Sequence, residues 1–372
     1  MPLPVPRSDF IGLDEGIVHL ATGGQPPLLA AHREAFDAFA ADKVSGMAGY
    51  NRHWAVGAAV KAQLAALTGL PGEDHALLGS ASDAITRVVG SLHWHAGDNV
   101  VVADLDYASG RFALQRLAAL GVEPRVVGCD GWYIDPQRLL GACDARTRLV
   151  YVSQVTSLTG QCIDIAWLGA QLAHRGIVLL VDASHALGVI PVDARAADFT
   201  VSSGYKFLCA THMGILAWNR ERWPSFEPLA IGWASAQPAP AGGAYRLHAD
   251  ARRAHAGNSN HLDVYLLQRS LAYLLGHGID AIAAHARALA SRVHDGLRAR
   301  DLEVVTPAAP AERAANVVFA TGRDVEIVDA AGRAGILLWS GGGRVRASTH
   351  LFNSTADVDR YLGWLDETAV SG

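Results

Sequence analysis

The sequence predicts an α/β fold, a mostly parallel sheet flanked by helices, followed by a smaller domain. Three observations carry that expectation. Apolar, β-branched runs at 99–103, 124–127, 148–152 and 176–181 alternate with helix-patterned stretches, the order that a parallel sheet with crossover helices requires. The run at 176–181 is apolar throughout, which suits a strand buried on both faces, and it ends at Asp182, where ligands bind in open sheets. Beyond Trp218 the composition changes, and residues 223–244 are rich in proline, glycine and alanine. We therefore divide the chain into 1–245, the large domain with its N-terminal segment, and 246–372, the small domain. With 372 residues, half of them hydrophobic, both can bury a core.

Composition removes several classes. A net charge of -5 without a basic run argues against nucleic acid as partner. No apolar segment approaches the roughly 20 residues needed to cross a bilayer, and the proline-rich start lacks the order of a signal peptide. Cys129, Cys143, Cys162 and Cys209 show neither metal-site nor disulfide spacing, so the cytoplasm is expected. No metal is expected. Asp104 and Asp106 lack a further ligand of suitable spacing, and His93-Trp94-His95 reads as a helix end with its histidines pointing apart.

The elements follow in order. Residues 16–20 form a short strand leading into the turn-rich loop of Thr22 and Gly23. Residues 45–54 read as a polar substrate loop or a connection, and 55–68 as an alanine-rich helix. A strand at 76–78 runs into Gly79-Ser80-Ala81-Ser82 and a helix, which suits either a phosphate seat or plain capping. Helices follow at 262–276 and 279–300. The small domain has a strand at 316–320, a helix at 324–333, and a closing strand and loop at 344–353.

The chain has only three lysines, Lys43, Lys61 and Lys206, and arginine supplies every other cation. A desolvated ammonium can lose its proton and become a nucleophile, whereas a guanidinium stays charged. Lys206 lies between Tyr205 and Phe207-Leu208, and a lysine snorkelling from a turn is the bland alternative. Asp182 needs a cationic partner unless it merely caps a helix. A pyridinium nitrogen would serve, with Lys206 bound to the same ring as a Schiff base.

The stretch Val-Asp-Ala-Ser-His-Ala-Leu-Gly-Val-Ile-Pro-Val-Asp from Val181, with Ser-Ser-Gly-Tyr-Lys-Phe-Leu from Ser202 and Met-Gly-Ile-Leu from Met213, resembles the aminotransferase class V enzymes. That group includes cysteine desulfurases, selenocysteine lyases, kynureninases and isopenicillin N epimerases. The resemblance implies the fold-type-I pyridoxal-phosphate transferase fold, with a mostly parallel seven-stranded sheet and a smaller α+β C-terminal domain. It implies pyridoxal 5'-phosphate as cofactor, an amino acid as substrate, and a homodimer with active sites at the interface. Tyr205 before the lysine looks more like the kynureninase branch.

By the same resemblance Lys206, Asp182 and His185 are catalytic. Ala81 and Ser82 contact the phosphate, Tyr107 stacks on the ring, and Ser203 and Tyr205 hold the phosphate beside the lysine. Ser157 stands where the family often has asparagine, and Gln154 where it has histidine. Trp233 and Asn258 correspond to segments that serve the neighbouring subunit's cofactor, although the family's Gly-Thr-Pro proline is missing. Arg346, in Arg-Ala-Ser, matches the arginine that clamps the substrate carboxylate with its planar fork; an edge strand guarded by arginine is the alternative. Thr22 and Gly23 would line the substrate side unless they form an ordinary turn. Cysteine desulfurases carry a nucleophilic cysteine loop ahead of that arginine, where this chain has Trp339-Ser340-Gly341-Gly342-Gly343.

The expected activity is therefore that of a lyase removing a Cβ substituent through a C–S or C–C bond. An aminotransferase or epimerase is the alternative within the family, and a non-catalytic cofactor-binding protein the alternative outside it.

Overall fold

A computed structural model of the chain describes residues 3–14, 16–239 and 243–368. After β1 (Val18–His19) and helices α1 (His32–Val44) and α2 (Gly46–Thr68), the large domain forms one seven-stranded sheet. Its strands are β2 (His75–Leu78), β3 (Asn99–Ala103), β4 (Glu123–Val127), β5 (Thr147–Ser153), β6 (Val178–Asp182), β7 (Phe199–Ser203) and β8 (Gly214–Trp218), in the spatial order β2-β8-β7-β6-β5-β3-β4. β7, β6, β5, β3 and β4 pair in parallel, and β8 alone runs the other way, pairing antiparallel with β7 on one side and with β2 on the other. Helices α3 (Ala81–Val89), α4 (Ala108–Gln115), α5 (Pro136–Gly141) and α6 (Ile165–Ala173) connect the strands.

The apolar strands are continuous because both faces are covered. Val100, Val102, Leu149 and Tyr151 join one core, while Val101, Ala103, Val150 and Val152 join the other. That alternation is the period-two geometry of a strand with no solvent face. Residues at the strand ends are therefore the polar ones, and Ser153, Asp182 and Ser203 all stand there.

A short hairpin, β9 (Ala236–Pro238) with β10 (Tyr245–Leu247), precedes α7 (His261–His277) and α8 (Ile279–Arg298). The small domain contains β11 (Glu303–Val304), β12 (Asn316–Ala320), α9 (Asp324–Arg333), β13 (Ile336–Leu337), β14 (Trp339–Ser340), β15 (Arg344–Ser348) and α10 (Thr355–Glu367). Four of its strands form an antiparallel sheet in the order β11-β12-β15-β14. β1 pairs in parallel with β13, so the N-terminal strand joins the C-terminal layers. The loop after β1 is thereby placed against β15, where Ala21 bridges Ser348.

Two local expectations are corrected. The segment 45–54 is no loop, because α2 begins at Gly46 and buries Gly49 and His53 on the way to the alanine-rich turns. Gly49 is required there, since a Cβ would lie 1.6 Å from the Asp42 carbonyl oxygen. His93-Trp94-His95 is no helix end, because α3 stops at Val89 and the three residues form an irregular connection to β3.

Close packing makes Gly110 of α4 sensitive. A Cβ there would meet the Tyr151 ring at 2.2 Å, and that ring is fully buried. We expect Gly110→Ala to lower stability by about 1–3 kcal/mol through overpacking, read as a reduced urea midpoint. An unchanged midpoint would show that the ring can move aside.

Acid sensitivity follows from four buried histidines. Burial holds His19, His32, His75 and His350 at about 4, below their ordinary value of 6.5. The unfolded chain then binds more protons than the folded one between those values. Their contribution is complete above pH 6.5 and is lost as pH falls towards 4, by up to about 1.4 kcal/mol per pH unit for each histidine. Urea midpoints measured from pH 7 down to 5 should decline steadily; a flat profile contradicts this.

Candidate active site

Lys206 follows the end of β7 and is only 7% exposed. Its Nζ lies 3.1 Å from His185 Nε2 and faces the rings of Tyr107 and Tyr205, 5.2 and 5.9 Å from their centroids. Burial lowers the lysine from 10.5 to about 8; the nearby Asp182 carboxylate opposes that shift and Arg346 adds to it. A lysine poised this way yields its free amine near neutral pH, as nucleophilic chemistry needs.

Asp182 ends β6 and is buried. Its Oδ1 accepts the Ser184 N–H at 2.8 Å and its Oδ2 the Tyr151 hydroxyl at 3.1 Å. Behind it Asp106 is also buried, accepts the Ser153 N–H at 2.8 Å, and is pushed up to about 7 by burial. Asp104 instead accepts the Cys129 N–H, so the two neighbouring acids serve separate backbone donors.

The start of α3 closes another side. Ser80 caps it by accepting the Asp83 N–H, which leaves the Ala81 and Ser82 N–H groups without a protein acceptor. Ser82 Oγ lies 2.8 Å from Ser109 Oγ. Gly214 must be glycine here, because a Cβ would lie 2.2 Å from the Ser80 carbonyl. One cavity is lined by Ala81, Ser82, Tyr107, Asp182, Ser203 and Lys206, together with Ser80, Ser184 and Tyr205. His185 reaches Lys206 from behind.

The small domain supplies a cation. Arg346 on β15 is 2% exposed, donates through Nη1 to the Ser157 carbonyl at 2.7 Å, and lies 4.5 Å from the Trp339 ring centroid. Burial pulls its guanidinium down to about 9. Its Nε has no partner, and among the described residues no carboxylate lies within ion-pairing distance. Gly23 presses against this arginine, since a Cβ there would meet Ser348 Oγ at 2.7 Å and Arg346 Nη2 at 3.2 Å. Thr22 is fully buried with its hydroxyl unpartnered, as is the Ser157 hydroxyl.

Two expected residues stand apart from the cavity within one chain. Trp233 is 63% exposed and meets Trp54 edge-on, and Asn258 accepts the Tyr50 hydroxyl at 2.8 Å. The sequence reading assigns no site role to Tyr151, Ser184 or Asn316, weighs Asp106 only as a metal ligand, and takes Trp339 only as part of the segment ahead of Arg346. A polar residue heading an otherwise apolar buried strand was the available signal for Asn316.

These donors fit pyridoxal phosphate. The Ser184 and Ser203 hydroxyls line the cavity, are buried and have no partner. Each such group costs about 1–3 kcal/mol unless something bonds it. A polar ligand with an anionic end near α3, a cationic ring nitrogen near Asp182 and a carbonyl near Lys206 satisfies the set. The sequence matches aminotransferase class V over residues 25–361. The chain belongs to that family. It is thus a pyridoxal-phosphate enzyme of class V, as its motifs implied.

Among curated relatives, a probable cysteine desulfurase of Methanothermobacter thermautotrophicus is 28% identical over 79% of this chain and 78% of its own. An isopenicillin N epimerase of Streptomyces clavuligerus is 32% identical over 45% of this chain and 44% of its own. The solved complex between the cystine C–S lyase C-DES and its product cysteine persulfide superposes with a TM-score of 0.88 at 20% identity, covering 96% of this class V chain and 98% of that one. That likeness establishes the seven-stranded fold with its smaller C-terminal domain.

Proposed function

We propose that this class V enzyme is a lyase that breaks the bond between Cβ and sulfur in an amino acid. The observation that carries the reading is an α-carbon site with no thiol beside it. Cys129, Cys143, Cys162 and Cys209 are unpaired, none lines the Lys206 cavity, and burial pushes the Cys209 thiol far up. Sulfur therefore leaves as a small molecule, with no protein thiolate to receive it. The cysteine desulfurase relatives and the C–S lyase likeness support the same chemistry.

When bound, pyridoxal phosphate supplies an electron sink for the bond broken at Cα. The chain's own residues do the rest. Arg346 grips the substrate carboxylate with its fork, and that anion relieves a buried, unpaired cation. Lys206 takes the Cα proton, with His185 beside it. Asp182 places a negative charge where a ring nitrogen must stay protonated. The N–H groups of Ala81 and Ser82 and the Ser203 hydroxyl would hold the phosphate, and Tyr107 would supply an aromatic surface for the ring. For cysteine, the overall change is amino acid plus water to pyruvate, ammonia and hydrogen sulfide.

Support for a homodimer comes from Trp233 and Asn258, which lie outside the cavity at exposed positions within reach of a second copy. The unpaired cysteines suit a reducing, cytoplasmic setting. Among the described residues no helix is long and apolar enough to cross a membrane.

The test is to incubate the holoprotein with cysteine, cystine and alanine and assay keto acid, ammonia and sulfide. Equal keto acid and ammonia without an amino acceptor is the expected result. A need for a second keto acid reassigns the protein as an aminotransferase, and racemised substrate without keto acid as an epimerase. Arg346→Lys keeps the charge but loses the fork, so we expect about 10–100-fold lower kcat/KM, carried mainly by KM. An unchanged KM would move the carboxylate elsewhere.

A further inference from the structure

His185 is held from both sides. Its Nε2 lies 3.1 Å from Lys206 Nζ, and its Nδ1 lies 3.0 Å from Asn316 Nδ2, 131 residues along the chain on β12 of the small domain. The ring is buried between two cations, Lys206 and Arg346, so burial and both charges keep it neutral. The Asp182 carboxylate acts on the lysine's charge, and the Tyr107 and Tyr205 ring centroids lie 5.2 and 5.9 Å from its Nζ. A neutral imidazole carries one N–H, and the hydrogen bond at one nitrogen decides which nitrogen holds it.

Asn316 has its amide nitrogen towards the ring and its Oδ1 towards Ser348, whose Oγ donates to it at 2.8 Å. Asn316 and Ser348 are direct partners in the β12–β15 register, and Arg346 lies two residues from Ser348 on the same face. Gly23 backs the pair, since a Cβ there would lie 3.1 Å from Asn316 Oδ1. An N–H arriving at Nδ1 requires a bare lone pair there, which puts the ring proton on Nε2. An N–H at Nε2 can donate to a free amine but not to an ammonium.

We infer that Asn316 is a positioning residue: it fixes His185 as the Nε2–H tautomer, and through that ring the small domain biases Lys206 towards its uncharged form. The strand that carries the carboxylate-binding arginine is hydrogen-bonded to the strand that sets the lysine. Docking of the small domain is thereby linked to readiness of the amine. The inference rests on Lys206 as the cofactor lysine and is independent of which bond the enzyme breaks.

The test uses the full-length holoprotein with 15N-labelled histidine. Two-bond 15N–1H correlations should show His185 protonated on Nε2 and bare on Nδ1. Asn316→Asp offers an acceptor in place of the donor, so the proton should move to Nδ1. The pH midpoint of the visible absorption should then rise by at least about one unit, a tenfold change in the proton equilibrium. Val318→Ala, on the same strand, should leave that midpoint in place. A wild-type ring protonated on Nδ1 overturns the inference, as does an unmoved midpoint in folded Asn316→Asp. Should that variant not fold, the wild-type tautomer alone decides. A wild-type protein that acquires no colour with the cofactor overturns the site reading itself, whereas a coloured protein with the wrong tautomer overturns only this inference.

Discussion

Lys206→Ala is expected to abolish turnover, with a loss of at least about 10³-fold in kcat, and to end covalent retention of the cofactor. Two losses combine in the one substitution. On the proposed function, the amine that would attach the cofactor is gone, and so is the base that would move the Cα proton. Lys43 and Lys61, the other two lysines, line other surfaces and cannot stand in. Borohydride should trap cofactor on the wild-type chain and leave Lys206→Ala unlabelled. Lys206→Arg separates charge from nucleophilicity, because it restores the cation but cannot yield a neutral amine, so it should be equally inactive. Trapped label on either variant would place the reactive amine elsewhere.

Asp182→Asn is expected to lower kcat by about 10²–10³-fold while the fold survives. Asparagine is nearly isosteric and can still accept from either Ser184 N–H or Tyr151 OH, so the end of β6 keeps its shape. What disappears is the negative charge that makes a protonated ring nitrogen favourable and so lets the ring accept electrons. Asp106 is a poor substitute, because burial brings it to about 7 and leaves it partly neutral at physiological pH. The variant should retain bound cofactor with a shifted absorption band. Activity within about threefold of wild type would show that the charge at 182 does not set the electron sink.

Each of these sites depends on residues that come from different parts of the chain, and their legibility in the sequence differs accordingly. The apolar run ending at Asp182 and the Ser-Gly-Tyr-Lys turn are each complete within a few residues. Their meaning follows from local rules: a strand buried on both faces has polar room only at its end, and a lysine among aromatics and aliphatics is desolvated. Ala81 and Ser82 are only half legible locally, because a small-residue turn before a helix suits capping as well as a phosphate, and the family resemblance is what singles them out. Gly49 shows the opposite case. Read as part of a polar loop, it is a helical residue under the Asp42 carbonyl, and nothing within 45–54 announces that contact.

Local chemistry wrote the strands, their helices, the buried lysine and the acid at a strand end into the chain, since side-chain periodicity and turn propensity act over a few residues; the arginine motif was legible only through the family resemblance. Folding alone brought Asn316 to His185, Tyr151 to Asp182 and Arg346 to the Ser157 carbonyl, across separations of 131, 31 and 189 residues. Such bonds obey no spacing rule, because they depend on how strands of one sheet, or of the two domains, are aimed after their cores have packed. The candidate reactive groups could therefore be named in one dimension, and the side chains that surround them only in three.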